Sequence, residues 1–135
     1  MKVTLFADGG SRGNPGPSAF GVVIYDEHGT VIREIAEFIG IGTNNVAEWS
    51  GLIAGLAAAL ELGATDVAVR LDSELVVRQL SGQYRVKDAK LIPLAAQARS
   101  LLRRFHSADI AHVRRKENAA ADALANQALD ANAVP

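Results

Sequence analysis

Residues 2–25 read KVTLFADGGSRGNPGPSAFGVVIY. Lys2 to Asp8 alternates and is rich in β-forming residues, which predicts a strand with Val3, Leu5 and Ala7 on one face. Gly9 to Pro17 is a cluster of Gly, Asn, Ser and Pro, the residues of turns. Ala19 to Tyr25 predicts a second strand. Outward from there, Asp26 to Gly29 supplies a hairpin turn and Thr30 to Phe38 alternates as a third strand. Three strands joined by short turns make an antiparallel meander, and Asp8 stands at the C-terminal end of its first strand.

The period then changes. Val46 to Leu62 reads as a helix, with Leu52, Leu56 and Leu60 at steps of four and Gly63 as its stop. Val67 to Leu71 predicts a short strand ending at Asp72, after which Ser73 caps a helix to about Leu80. Ser81 to Asp88 is a polar connection. Leu91 to Phe105 is a further helical pattern with Pro93 in its first turn. Ile110 to Val113 predicts a last strand, and Asn118 caps an Ala-rich helix from Ala119 to about Leu129. A meander followed by crossover units implies an α/β fold: a five-stranded mixed sheet, three strands antiparallel and two parallel, flanked by helices. Right-handed crossovers put the later strands parallel to the first. The domain is expected to cover residues 1–130, with a frayed tail over 131–135.

Composition narrows the function. The 135 residues are 49% hydrophobic, enough for a real core. No apolar run is long enough to span a membrane, and the first residues turn polar too soon for a signal peptide, so a cytoplasmic chain is expected. The absence of cysteine excludes disulfides and thiolate metal sites. Net charge is −1, but residues 66–116 carry 11 basic and 5 acidic groups. A basic middle in a near-neutral chain can be a phosphate-facing surface or simply a solvated helix face.

Four acids stand at predicted element ends: Asp8, Glu48, Asp72 and Asp122. Ligands of such sheets bind just beyond the carboxyl ends of the strands, where Asp8 and Asp72 belong. Gly51, Leu52, Gly55 and Leu56 follow Glu48 on its side of the helix, so it should point toward the sheet, where a lone charge is costly. Each acid also has an ordinary alternative. Asp8 can be a turn residue, Asp72 can flank a cap, Glu48 can close a capping box with Asn45, and Asp122 can complement a helix dipole. Jointly they favour a hard, oxygen-seeking cation such as Mg²⁺ or Mn²⁺, and pairs of such ions catalyse phosphodiester chemistry. Asn14, Thr43, Asn44 and Asn45 are short polar donors beside turns, suited to sugar, base or phosphate contacts or to plain capping.

DGGSRGNPGP (8–17), TNNVAEW (43–49), DSELVV (72–77) and ENAAADALAN (117–126), in this order, resemble type 1 ribonuclease H over roughly residues 2–130. The compact form resembles a bacterial and archaeal branch found alone or fused to another domain. The resemblance implies a monomeric endonuclease that cuts the RNA strand of an RNA–DNA hybrid, leaving 5′-phosphate and 3′-hydroxyl ends. It implies that Asp8, Glu48, Asp72 and Asp122 bind two Mg²⁺ ions, with Mn²⁺ as substitute, about 4 Å apart. Asn14, Thr43, Asn44, Asn45 and Glu74 match positions that contact the hybrid. A dual nuclease that also cuts double-stranded RNA and a non-catalytic hybrid-binding module are the alternatives.

The chain departs from the best-known members of that family. Their basic protrusion is absent, and only SGQYRVKDAK (81–90) joins the two central helices, so a grip on the hybrid would rest on Arg85, Lys87 and Lys90. Glu74 stands where Gln is common, and Ile41 where a polar or basic residue is common. The loop before the last helix is short. An auxiliary catalytic residue there would be Arg115 or, at the end of the last strand, His112.

Overall fold

The computed structural model describes residues 1–133. Five strands, β1 (Lys2–Ser11), β2 (Gly16–Tyr25), β3 (Val31–Gly42), β4 (Asp66–Leu71) and β5 (Ser107–His112), form one sheet in the order β3-β2-β1-β4-β5. β1 is antiparallel to β2, and β2 to β3; β1, β4 and β5 run parallel. The helices are α1 (Asn44–Glu61), α2 (Glu74–Leu80), α3 (Ile92–Leu102) and α4 (Ala119–Ala131). The mixed five-stranded fold read from the sequence is the one observed. No helix is long and apolar enough to cross a membrane among the described residues.

The alternation of β1 builds the main core. Val3, Leu5 and Ala7 join Phe20, Val22 and Ile24 of β2 and Val67, Val69 and Leu71 of β4 beneath α1, where Trp49, Leu52 and Leu56 are wholly buried. The glycines of α1 set its distance from the sheet. A Cβ on Gly55 would lie 2.4 Å from Leu5 Cδ1, and one on Gly51 would lie 3.0 Å from Phe20 Cβ. α4 packs on the other face, where Ala19 meets Ala128 and Leu129. Gly21 is required there, because its Cβ would fall 2.1 Å from the Ala121 carbonyl oxygen.

Several element ends differ from the sequence reading. β1 and β2 continue through the glycine cluster, with Ser11 paired to Ser18, because the sheet ladder overrides the turn character of Gly9 and Gly10. β3 runs on to Gly42 past a register shift opposite Ser18 and Ala19. α1 begins at Asn44, and its cap is Thr43, whose Oγ1 accepts from the Val46 N–H. Glu48 therefore closes no capping box with Asn45. α3 stops at Leu102, since the N–H groups of Arg104 and Phe105 turn back to Leu101 and Leu102 and tuck Phe105 into the core.

β5 starts at Ser107 instead of Ile110, because register with β4 defines it and an exposed edge strand needs no apolar alternation. A 3₁₀ turn, Arg115–Asn118, leads into α4, and Asn118 makes no side-chain cap. It is buried instead, and its Nδ2 donates to the Ala7 carbonyl at 3.0 Å. α4 includes Ala131, so the expected tail begins inside the helix; Val134 and Pro135 lie outside the described residues.

Candidate active site

The register brings the first two acids together. Ala7 pairs with Leu71 across parallel strands, so the next residues, Asp8 and Asp72, emerge side by side at the same sheet edge. α1 reaches that edge because Gly9 has no side chain: a Cβ there would sit 2.3 Å from the Ala47 carbonyl carbon and 2.5 Å from the Glu48 nitrogen. This close approach of backbones carries Glu48 to the strand ends. One carboxylate oxygen from each of Asp8, Glu48 and Asp72 lies within 4.8 Å of the others. Asp122, in the first turn of α4, completes the wall beside Asp8. The four acids open into a cleft of about 520 Å³ whose walls also include Arg12, Asn44 and Arg115.

Although Arg12 and Arg115 share the cleft wall, none of the four acids forms an ion pair among the described residues. Asp8 is 9% exposed, and its pKa is raised from 3.8 to about 8. Burial is the largest cause, followed by the charge of Asp72 and the proximity of the Asp122 and Glu48 carboxylates. Burial likewise lifts Glu48 from 4.5 to about 7; the Ser73 hydroxyl beside it pulls downward and the Asp72 charge upward. Glu48 Oε2 is buried and has no hydrogen-bond partner. An orphaned buried oxygen among converging carboxylates fits a hard dication, and a donor set made only of oxygen fits Mg²⁺ or Mn²⁺.

Asn44 lies on the cleft wall, with its Oδ1 accepting from the Ser11 N–H at 2.8 Å. Asn14 is one step further out and accepts the Asn44 N–H at 3.2 Å. Thr43 is occupied as the helix cap, and Asn45 is half-buried in the first turn. Glu74 is not on the cleft wall: its carboxylate takes two bonds from Arg78, at 2.5 and 3.0 Å, which lower its pKa. Arg115 reaches the cleft. His112 sits at the end of β5, with Nε2 3.2 Å from the Asp72 carbonyl oxygen, where it braces the neighbouring strand end.

Three contributors escaped the sequence reading. Arg12 and Asn126 line the cleft, and Asn118 pins the residue before Asp8 to the start of α4. A lone arginine inside a glycine loop after an acid was the one available signal for Arg12. Asn118 carries the signal of a helix cap, and Asn126 only its place at the end of ENAAADALAN, one helical turn after Asp122.

A family signature described as reverse transcriptase-like matches residues 6–128. The bifunctional protein Rv2228c of Mycobacterium tuberculosis is 52% identical over 134 residues, covering 98% of this chain and 37% of that protein. A ribonuclease HI of Halobacterium salinarum is 46% identical over 129 residues, covering 96% of this chain and 65% of that protein. The chain thus spans less than two thirds of the length of either curated relative. The solved structure of LC11-RNase H1, isolated from compost, in complex with an RNA/DNA hybrid has a TM-score of 0.91 at 41% identity, covering 96% of this chain and 97% of that one. With fold and sequence shared over nearly its whole length, this chain belongs to the reverse transcriptase-like family and, within it, to type 1 ribonuclease H.

Proposed function

We propose that this chain is an endoribonuclease that hydrolyses the RNA strand of RNA–DNA hybrids, acting as a monomeric unit over residues 1–130. The observation that carries the reading is the meeting of Asp8, Glu48 and Asp72 within 4.8 Å at the mouth of an open cleft. The choice of substrate is supported by LC11-RNase H1, which was solved with a hybrid bound.

Asp8, Glu48, Asp72 and Asp122 would hold Mg²⁺, or Mn²⁺ as substitute, at two positions; bound ions of this kind neutralise phosphate charge and supply an activated water. The protein's part is to keep the acids converged and mostly out of water. Burial and the charges of neighbouring acids favour the protonated forms of Asp8 and Glu48 near neutral pH, which a bound dication would reverse. Arg115 adds a permanent cation to the wall where negative charge builds up on the phosphate, and it fills the auxiliary role better than His112, which is committed to the Asp72 carbonyl. Asn44 has its oxygen engaged by the Ser11 N–H, which orients the amide and leaves its Nδ2 hydrogens as donors for a ligand. Water would add to phosphorus as the bond to the 3′ oxygen breaks, leaving a 5′-phosphate and a 3′-hydroxyl.

The test is cleavage of a labelled RNA–DNA hybrid with and without Mg²⁺ or Mn²⁺, beside matched double-stranded RNA and DNA. The expected result is metal-dependent cutting of only the RNA strand of the hybrid. Cutting of double-stranded RNA as well would make the enzyme a dual nuclease. Hybrid binding without turnover under either metal would overturn catalysis and leave a recognition module.

A further inference from the structure

We propose that Arg12 is a positioning residue: it fixes the orientation of the Asn126 side-chain amide and, through it, the Asp122 carboxylate. The inference rests on the cleavage reading above. Arg12 stands in the loop between β1 and β2, where its own N–H donates to the Pro17 carbonyl at 2.8 Å. Its Nη2 crosses to α4 and donates to Asp130 Oδ1 at 2.7 Å and to Asn126 Oδ1 at 3.4 Å. Asn126 Nδ2 in turn donates to Asp122, to its carbonyl at 3.1 Å and its Oδ2 at 3.3 Å. Positions 122, 126 and 130 recur at one helical turn, so the three side chains share one face of α4.

The chemistry of these groups permits one arrangement. A carboxylate only accepts, so Asp122 requires the NH₂ end of the amide. A guanidinium only donates, so Arg12 requires the oxygen end. Arg12 therefore anchors the amide, from its oxygen end, in the orientation that serves Asp122. Without it, the amide keeps its NH₂ end toward Asp122 but loses the anchor on its oxygen, and the side chain is free to swing away from the carboxylate. Stability does not explain the arrangement: the Arg12 and Asp130 side chains are 44% and 71% exposed, and an ion pair in that setting contributes little. Asp130 instead holds the guanidinium where it can reach Asn126.

The same loop is fastened on its other side. Ser11 N–H donates to Asn44 Oδ1, and Asn44 N–H donates to Asn14 Oδ1. The loop is thus a strap between α1 and α4 at the cleft, and Arg12 is its anchor on the α4 side.

The experiment compares the full chain with Arg12→Met, which keeps an unbranched stem and removes the donors, and Arg12→Lys. Steady-state cleavage of the hybrid is read together with the Asn126 side-chain amide signal in ¹H–¹⁵N NMR, assigned by its loss in Asn126→Ser. Arg12→Met should lower kcat about tenfold and leave KM within about twofold, because the acid is displaced while substrate contacts remain. The Asn126 amide signal should move, and Arg12→Lys should recover part of both effects. A rise in KM with kcat unchanged would make Arg12 a substrate grip and overturn the proposal. Unchanged kinetics with an unmoved Asn126 signal would reduce the contact to a surface pair and also overturn it. If the wild-type chain cuts no hybrid, the cleavage reading is what fails. The Asn126 signal then decides alone: a shift in Arg12→Met supports the relay, and no shift sinks it.

Discussion

Asp8 carries the greatest electrostatic load in the molecule, since burial and three neighbouring acids all oppose its ionisation. The folded chain therefore keeps a proton that the unfolded chain releases between pH 3.8 and about 8. Where the folded state binds more protons, stability falls as pH rises. Glu48, raised to about 7, acts in the same direction. In chelator, the wild-type melting temperature should fall between pH 5 and pH 8, and Asp8→Asn should flatten that fall while keeping the fold. Adding Mg²⁺ at pH 8 should raise the wild-type melting temperature and raise that of the variant much less. Cleavage by Asp8→Asn should drop on the order of a thousandfold, as expected when several kcal/mol of charge stabilisation are lost. A pH dependence identical in the two proteins would refute the assignment of the strain to Asp8.

Among the elements, the contact of β1 with α1 decides whether the acids meet. Gly9 sets that contact, because the atoms its Cβ would strike are backbone atoms of Ala47 and Glu48 that no rotamer change can move. Gly9→Ala should push α1 from the strand, costing about 1–3 kcal/mol of stability, and should lower cleavage at saturating Mg²⁺ by carrying Glu48 away from Asp8. Urea unfolding and a cleavage assay check the two effects separately; full activity in the variant would show that Glu48 tolerates the displacement. On the opposite face Gly21 of β2, paired with Asp8, admits α4 by the same means, so two glycines on adjacent strands bring in the helices bearing Glu48 and Asp122. These elements were read from the sequence because their hydrophobic period and their caps are local. Their lengths were less legible. Gly9 to Ser11 has the composition of a turn and becomes strand only because β2 and α1 are there to receive it.

Over the whole molecule, charge is separated along the chain, and the basic share is concentrated in residues 66–116. Within it, Arg85, Lys87 and Lys90 are exposed on the connection between α2 and α3. Replacing all three with Gln should weaken hybrid binding and flatten its salt dependence, by about 0.7–0.9 in log–log slope for each phosphate that is no longer neutralised. An unchanged slope would assign that loop to solvent. Arg78 lies over the ring of Tyr84 at 5.4 Å and gives the same region a fixed aromatic surface.

Alternations and caps legible in the chain place Asp8, Glu48, Asp72 and Asp122 at the ends of their elements. Those signals act between residues a few positions apart, and they suffice to state which faces are buried and which acids stand at an edge. The pairings between distant residues come only with the closed fold: Ala7 beside Leu71, Asn118 on the Ala7 carbonyl, and Arg12 on Asp130, 118 positions away. Such contacts form only when the closed sheet brings separate helices to a common edge, and no local period or turn chemistry encodes which donor will meet which acceptor there.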